Sequence, residues 1–177
     1  MTDVQVENIV VSFQVASVLD LQKLAEALPD VKYNPEEVPA VVLQFQKPKS
    51  VVTLFSTGSV VVTGPKTMDE VNEIIKMVHD RLLVLGIQPD GIPSVSVQNV
   101  TASTHLQRRL DLKRLAKSLQ HAEYDPAVFP GVVYKGEDPN TVILLFDSGK
   151  VVCNAATLER VTGALDNMKE KLLTFGM

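Results

Sequence analysis

Residues 32–43 read KYNPEEVPAVVL, and residues 123–134 read EYDPAVFPGVVY. Tyr33, Pro35, Pro39, Val41 and Val42 return as Tyr124, Pro126, Pro130, Val132 and Val133, each 91 positions later. The offset holds without a gap from Val6/Val97 to Val62/Cys153. About a third of the pairs are identical, a self-similarity that constrains the fold more than any single motif does. Beyond that point the best offset is 90, as in Thr67/Thr157, Val71/Val161 and Gly86/Gly176, so one residue is lost near Asn154-Ala155. Two copies of about 80 residues are too few for a solenoid. They fit two pseudo-symmetric halves of one fold, residues 6–86 and 97–176.

Each copy carries the same local signals. VENIVVSFQV and VSVQNVTAST are rich in β-formers. LDLQKLAEAL and LDLKRLAKSL place Leu and Ala at helical spacing, with Asp20 and Asp111 as N-caps. AVVLQFQKPKSVVTLFSTGSVVVTG reads as three strands parted by Lys-Pro-Lys and Ser-Thr-Gly turns; its copy has Asp-Pro-Asn and Asp-Ser-Gly there. A longer helix follows, with an apolar stripe at Val71, Ile74, Ile75, Val78 and Leu82. Thr67 to Glu70 has the spacing of a capping box, and Gly86 and Gly176 stand where helices stop. Each half is therefore strand–helix–strands–helix, an α+β arrangement whose helices cover only one face of an antiparallel sheet.

Side chains alternate across a strand, which puts Thr53 and Phe55 with Val61 and Thr63 on one face, and Leu144 and Phe146 with Val152 and Asn154. Asn8 and Val10, and Asn99 and Thr101, extend that face along the first strands. By pattern alone such a face is either a binding surface or a second core, covered by another subunit or by the other repeat.

Composition narrows the partners. Hydrophobic residues make up 45% and charged residues 21%, so a packed core is expected rather than disorder. Net charge is −4, which is not that of a broadly basic nucleic-acid binder. A local basic surface remains compatible with it, because net charge averages over faces. No apolar run approaches the ~20 residues that span a bilayer, and the N-terminus lacks the basic start of a secretory signal. Cys153 is the single cysteine, which suits a reducing interior.

Taken together, Val6-Glu7-Asn8-Ile9-Val10 with Val97-Gln98-Asn99-Val100, Tyr33-Asn34-Pro35 with Tyr124-Asp125-Pro126, Phe129-Pro130-Gly131-Val132-Val133-Tyr134, Leu54-Phe55 with Leu145-Phe146, Asp147 to Cys153, and Val62-Thr63-Gly64 with Lys66 span nearly the whole chain in order and in duplicate. In these the chain resembles the TATA-box-binding protein family in its short archaeal form. The resemblance implies a pseudo-two-fold saddle, with a curved antiparallel sheet and helices on the convex face. It implies A·T-rich double-stranded promoter DNA in the concavity, bound through the minor groove and bent; the family is itself a standing example of this mode. The implied floor is Val10, Thr53, Val61, Thr63, Thr101, Leu144 and Val152, with Asn8 and Asn99 donating to base acceptors near the dyad. Phe55, Phe129 and Phe146 are the implied wedges, and Lys49, Lys66, Lys135 and Lys150 the implied phosphate contacts. The loop with Asp125, Ala127 and Val128 is the implied dock for a transcription factor B-type initiation factor, through which RNA polymerase is recruited. No cofactor or metal is implied, and the expected location is cytoplasmic, on the nucleoid.

The chain departs from the family pattern at defined places. Val38 stands where a second phenylalanine is usual at the first end. Gln44, Ser59, Asn140 and the Ala156 region replace usual Lys or Arg, Thr53 replaces a leucine, Thr101 a valine, and Ala127 a glutamate. These departures also fit a paralogue that works mainly as a protein-interaction module with weak DNA binding. Enzymatic readings find little support. His79, His105 and His121 lack metal-ligand spacing, and His79 is expected at the surface. Cys153 reads as a small buried hydrophobe, and Glu36-Glu37 and Glu137-Asp138 as solvated loop carboxylates. No Gly-rich phosphate loop occurs, and the absence of clustered catalytic residues argues against a nuclease or glycosylase domain that shares the fold.

Overall fold

Both halves fold through the same run of elements. The first is strand β1 (Gln5–Gln14), helix α1 (Leu21–Ala27), strands β2 (Lys32–Tyr33), β3 (Ala40–Gln46), β4 (Lys49–Phe55) and β5 (Ser59–Thr63), and helix α2 (Met68–Val84). The second is strand β6 (Ser96–His105), helix α3 (Leu112–Ser118), strands β7 (Ala122–Glu123), β8 (Gly131–Lys135), β9 (Val142–Phe146) and β10 (Lys150–Ala155), and helix α4 (Leu158–Thr174). The computed structural model describes residues 3–91, 93–136, 138 and 140–176. Pro139 of the Asp-Pro-Asn turn and Glu137 of the loop carboxylates lie outside the described residues. The chain divides into two units. The first is Asn8–Gln98; the second is Met1–Glu7 with Asn99–Met177.

In the first unit the strands run in the order β2-β3-β4-β5-β1, and in the second β6-β10-β9-β8-β7. The pairings within each unit are antiparallel. β2 and β7 add two-residue edge strands that periodicity does not reveal, since two residues carry no alternation.

The helices start where the sequence places them. Asp20 accepts from the Lys23 N–H and Asp111 from the Arg114 N–H, each at 3.2 Å. Such a cap is worth about 1 kcal/mol. Thr67 accepts from the Glu70 N–H at 3.1 Å, which is one arm of a capping box. The other arm reaches one residue further back, because the Glu70 carboxylate takes the Lys66 N–H at 2.7 Å. At the far end of α2 the Ile87 N–H bonds the Leu82 carbonyl and the Gly86 N–H that of Leu83, so the last turn closes on itself.

The helices bury one side of each unit's strands. Val71, Ile74, Ile75, Val78 and Leu82 of α2 are buried, as are Val161, Leu165, Met168 and Leu172 of α4. Beneath them lie Val52, Leu54, Val60 and Val62 in the first unit, and Ile143, Leu145, Val151 and Cys153 in the second. Fully burying such side chains contributes about 1.5–3 kcal/mol each. His79 departs from the surface position expected of it. It is half-buried, and its Nε2 is buried without a hydrogen-bond partner among the described residues. The cause is helical spacing: His79 lies four residues after Ile75, at the margin of the buried stripe.

Cys153 is fully buried, and burial pushes its thiol up to about 11. The thiol is thus neutral at pH 7 and shielded. Titration of the folded protein with an aromatic disulfide reagent is expected to give almost no release until denaturant unfolds the second unit; rapid release without denaturant would contradict this burial.

Among the described residues no helix is long and apolar enough to cross a membrane.

Candidate nucleic-acid interface

The strand faces that the helices leave open are built by register. In the first unit Val10 pairs with Thr63, and Thr63 with Val51. One row on, Ser12 pairs with Val61, Val61 with Thr53, and Thr53 with Val42. In the second unit Thr101 pairs with Asn154, Asn154 with Val142, and Val142 with Lys135. The next row is Ser103, Val152, Leu144 and Val133. Most of these side chains are half-buried while their neighbours in sequence are fully buried, as the alternation requires. Asn8, Val10, Thr53, Phe55, Val61 and Thr63 therefore share one face, and Asn99, Thr101, Leu144, Phe146 and Val152 share the matching one. Val42, Val51, Val133 and Val142 belong to the same rows but were missing from the sequence-derived set. The period-two pattern marks them, one step before or after the residues named.

The faces are uncharged at their centres and basic at their margins. Lys49 follows the alternation of Val51 and Thr53, Lys135 that of Val133, and Lys150 that of Val152. All three are exposed, as is Lys66, which lies beyond the end of β5.

The two asparagines are held differently. Asn8 Oδ1 accepts from the Gly64 N–H at 2.6 Å, and Nδ2 donates to Thr63 Oγ1 at 3.0 Å. An amide engaged in this way has one N–H left to donate. In the second unit Asn154 Nδ2 donates to Thr101 Oγ1 at 2.8 Å. Ala155 stands where the first unit has Gly64, and the Asn99 amide makes no hydrogen bond among the described residues. Substitution of the Thr-Gly pair by Asn-Ala thus moved the bonded amide from the first strand of the unit to the last.

The ends of the faces also differ. Phe129 and Phe146 meet edge to face, with ring centroids 5.8 Å apart and planes at 63°. Gly131 pairs with Phe146, and a Cβ built on it would lie 3.0 Å from the Phe129 ring and 3.2 Å from the Phe146 ring. The missing side chain is what lets the two rings approach. In the first unit Ala40 holds the matching register opposite Phe55, and Val38 is 47% exposed.

The loops before β3 and β8 share a backbone turn but not a surface. The Asn34 carbonyl accepts from the N–H groups of Glu37 and Val38, and the Asp125 carbonyl from those of Val128 and Phe129. The exposed Asp125 carboxylate accepts from the Ala127 N–H at 3.1 Å. Val128 is left 81% exposed at the tip. The second loop thus presents one exposed carboxylate, Asp125, beside Val128, and the first presents two, Glu36 and Glu37.

Among the described residues no group of three or more His, Cys, Asp or Glu is placed to hold a metal. Asp138 has its carboxyl held below the usual range, first by the Asn140 N–H, then by the Thr141 hydroxyl, with Arg160 at 3.4 Å adding to both. It serves the β8–β9 loop.

A family model described as transcription factor TFIID (or TATA-binding protein, TBP) matches residues 3–84 and 94–175. The TATA-box-binding protein F of Halobacterium salinarum is 40% identical over 98% of this chain and 95% of that protein. The TATA-box-binding protein of Thermococcus sibiricus is 40% identical over 89% of this chain and 85% of its own length. The solved structure of Methanococcus jannaschii TBP superposes with a TM-score of 0.89 at 32% identity, covering 97% of this chain and 98% of that one.

Proposed function

Because the chain belongs to the TATA-box-binding protein family, we propose that it is a non-enzymatic initiation factor that binds A·T-rich promoter DNA through the minor groove and bends it. The observation that carries this reading is the open strand face: neutral, β-branched and aromatic, with lysines at its margins. The minor groove of A·T pairs offers acceptors and a smooth floor, whereas a G·C pair projects a guanine amino group into it. Val10, Val61 and Val152 suit the smooth floor, and guanine would set a buried donor against them without a partner. The remaining N–H of Asn8 and the unengaged amide of Asn99 are donors suited to adenine N3 or thymine O2.

Affinity then depends on phosphate neutralisation. If Lys49, Lys66, Lys135 and Lys150 each neutralise one phosphate, log K falls against log salt with a slope of roughly −3 to −4. Lys150→Ala is expected to flatten that slope by about one unit while leaving the preference for TATA over G·C duplexes intact. Fluorescence anisotropy across a salt series measures both. Equal affinity for the two duplexes would overturn the proposal, and an unchanged slope would remove Lys150 from the DNA.

The exposed loop at Ala127 and Val128 supports docking of a transcription factor B-type initiation factor, and RNA polymerase through it, at the second unit. Exposed Val128 would add apolar burial to that contact, and exposed Asp125 a carboxylate. The same loop gives the alternative reading, a protein-interaction module with weak DNA binding, its specific support. A duplex affinity no greater than non-specific at low salt would favour that alternative. The proposed setting is the cytoplasm, on the nucleoid.

A further inference from the structure

Helices α2 and α4 are each 17 residues long and begin at equivalent threonine caps, so each unit serves as a template for the other. In the first unit the helix packs fully. Ile74 is 0% exposed, and Arg81 lies over the Phe45 ring, 5.3 Å from its centroid. In the second unit Ala164 stands in the place of Ile74, Gly163 in that of Glu73, and Gly136 in that of Phe45. Packing there leaves a cleft of about 620 Å³ between α4 and strands β8 and β9, within the size range of small-molecule sites. Its floor is formed by Gly163 and Ala164 over the buried Tyr134, Ile143 and Met168, and its lining also includes the carboxylates of Asp138 and Glu170. A Cβ on Gly163 would meet nothing within 4 Å, so the fold itself does not require a glycine in the middle of this helix, where glycine is a poor residue.

At the rim, Lys171 donates to the Tyr134 hydroxyl at 2.8 Å and lies 5.2 Å from that ring's centroid. Its ammonium thus uses one N–H on the tyrosine oxygen and has further N–H donors to offer. Arg160 is already engaged with Asp138. We propose that this cleft is a binding site for a small aromatic anion, its ring over Gly163 and Ala164 and its acidic group at Lys171. The first unit fills the same place with its own isoleucine and an aromatic ring under a cation, which shows what this environment accepts. Tyr134 and Ile143 alternate with Val133, Lys135, Val142 and Leu144, so an occupant sits behind the two strands whose opposite side is the open face.

The test uses the full chain and two probes that differ by one charge, anilinonaphthalene sulfonate and the uncharged phenylnaphthylamine, followed by methyl NMR. Saturable one-to-one binding is expected, with shifts at Met168 and Ile143. Ala164→Ile, which rebuilds the packing of the first unit, is expected to weaken both probes at least about tenfold. Gly163→Glu places a second obstacle at the mouth and is expected to act likewise, which keeps the test open if the isoleucine disturbs folding. Lys171→Met is expected to weaken the sulfonate about tenfold and leave the neutral probe unchanged. Undiminished binding in both cleft variants, or shifts confined to Leu144 and Val152 of the open face, would overturn the site. Equal effects of Lys171→Met on the two probes would overturn its selectivity for anions.

Discussion

Phe129→Val is expected to leave a TATA duplex nearly unbent at saturating protein, whereas Val38→Phe should increase the bend and tighten binding. The argument rests on which end carries a pair of rings. Phe129 and Phe146 stand edge to face over Gly131, a preformed wedge with no side chain beneath it. Opening a base step costs about a few kcal/mol in minor-groove benders, of which this family is an example, and the bend offsets that cost with new contacts. The first unit has Phe55 and the shorter Val38, so it has roughly 1–2 kcal/mol less apolar burial to set against the same unstacking. The wild-type bend is therefore expected to be asymmetric, sharper under the second unit. Such an asymmetric bend is expected to help set orientation on nearly symmetric DNA.

The template at Gly131 refines the gain. Ala40 is nearly fully buried opposite Phe55, and its methyl group lies where a second ring would need to settle. Val38→Phe alone is thus expected to gain about fivefold to tenfold in affinity, and Val38→Phe with Ala40→Gly more. Energy transfer between dyes at the two ends of a short duplex reads the bend. Identical end-to-end distances for wild type, Phe129→Val and Val38→Phe would remove the wedge role from both positions.

Much of this was legible because the sequence states it twice. A strand or helix signal seen once competes with chance; the same signal at an offset of 91 does not. The caps at Asp20 and Asp111, the three-strand run and the apolar stripe of α2 emerge where the two copies agree. What the sequence did not reveal depends on contacts between distant residues. That Asn8 is clamped by Gly64 while Asn99 is free goes with the exchange of Gly64 for Ala155, a position 56 residues after the asparagine in each unit. That the Asp125 carboxylate caps the Ala127 N–H depends on the turn geometry around it. Val42, Val51, Val133 and Val142 were within reach of simple alternation but resemble ordinary core residues until register sets them beside Thr53, Thr63, Leu144 and Lys135. The cleft beside α4 is visible only by comparing the two packed units, since Gly163 and Ala164 alone read as unremarkable helix residues.

Gly58→Ala is expected to be among the most destabilising single changes in the chain, costing about 3–4 kcal/mol. Gly58 has φ of 79° in the turn between β4 and β5, and a Cβ there would lie 1.8 Å from the Ala16 carbonyl oxygen. The same turn ties down the segment after β1: the Val15 N–H bonds the Gly58 carbonyl and the Leu19 N–H the Ser56 carbonyl. Relief by moving the turn would therefore break bonds that hold the entry to α1. The left-handed backbone accounts for about 1–2 kcal/mol of the cost, and displacement of packed backbone for about 1–3 more. Gly86→Ala separates the two parts. Its φ is 77°, nearly the same, but a Cβ there meets nothing within 4 Å. That variant carries the dihedral cost alone, about 1–2 kcal/mol. Urea unfolding measures the difference, with a lower midpoint and an unchanged slope expected for both variants. Equal losses at the two positions would mean that the Ala16 carbonyl yields freely, and that the turn is not the clamp its hydrogen bonds describe.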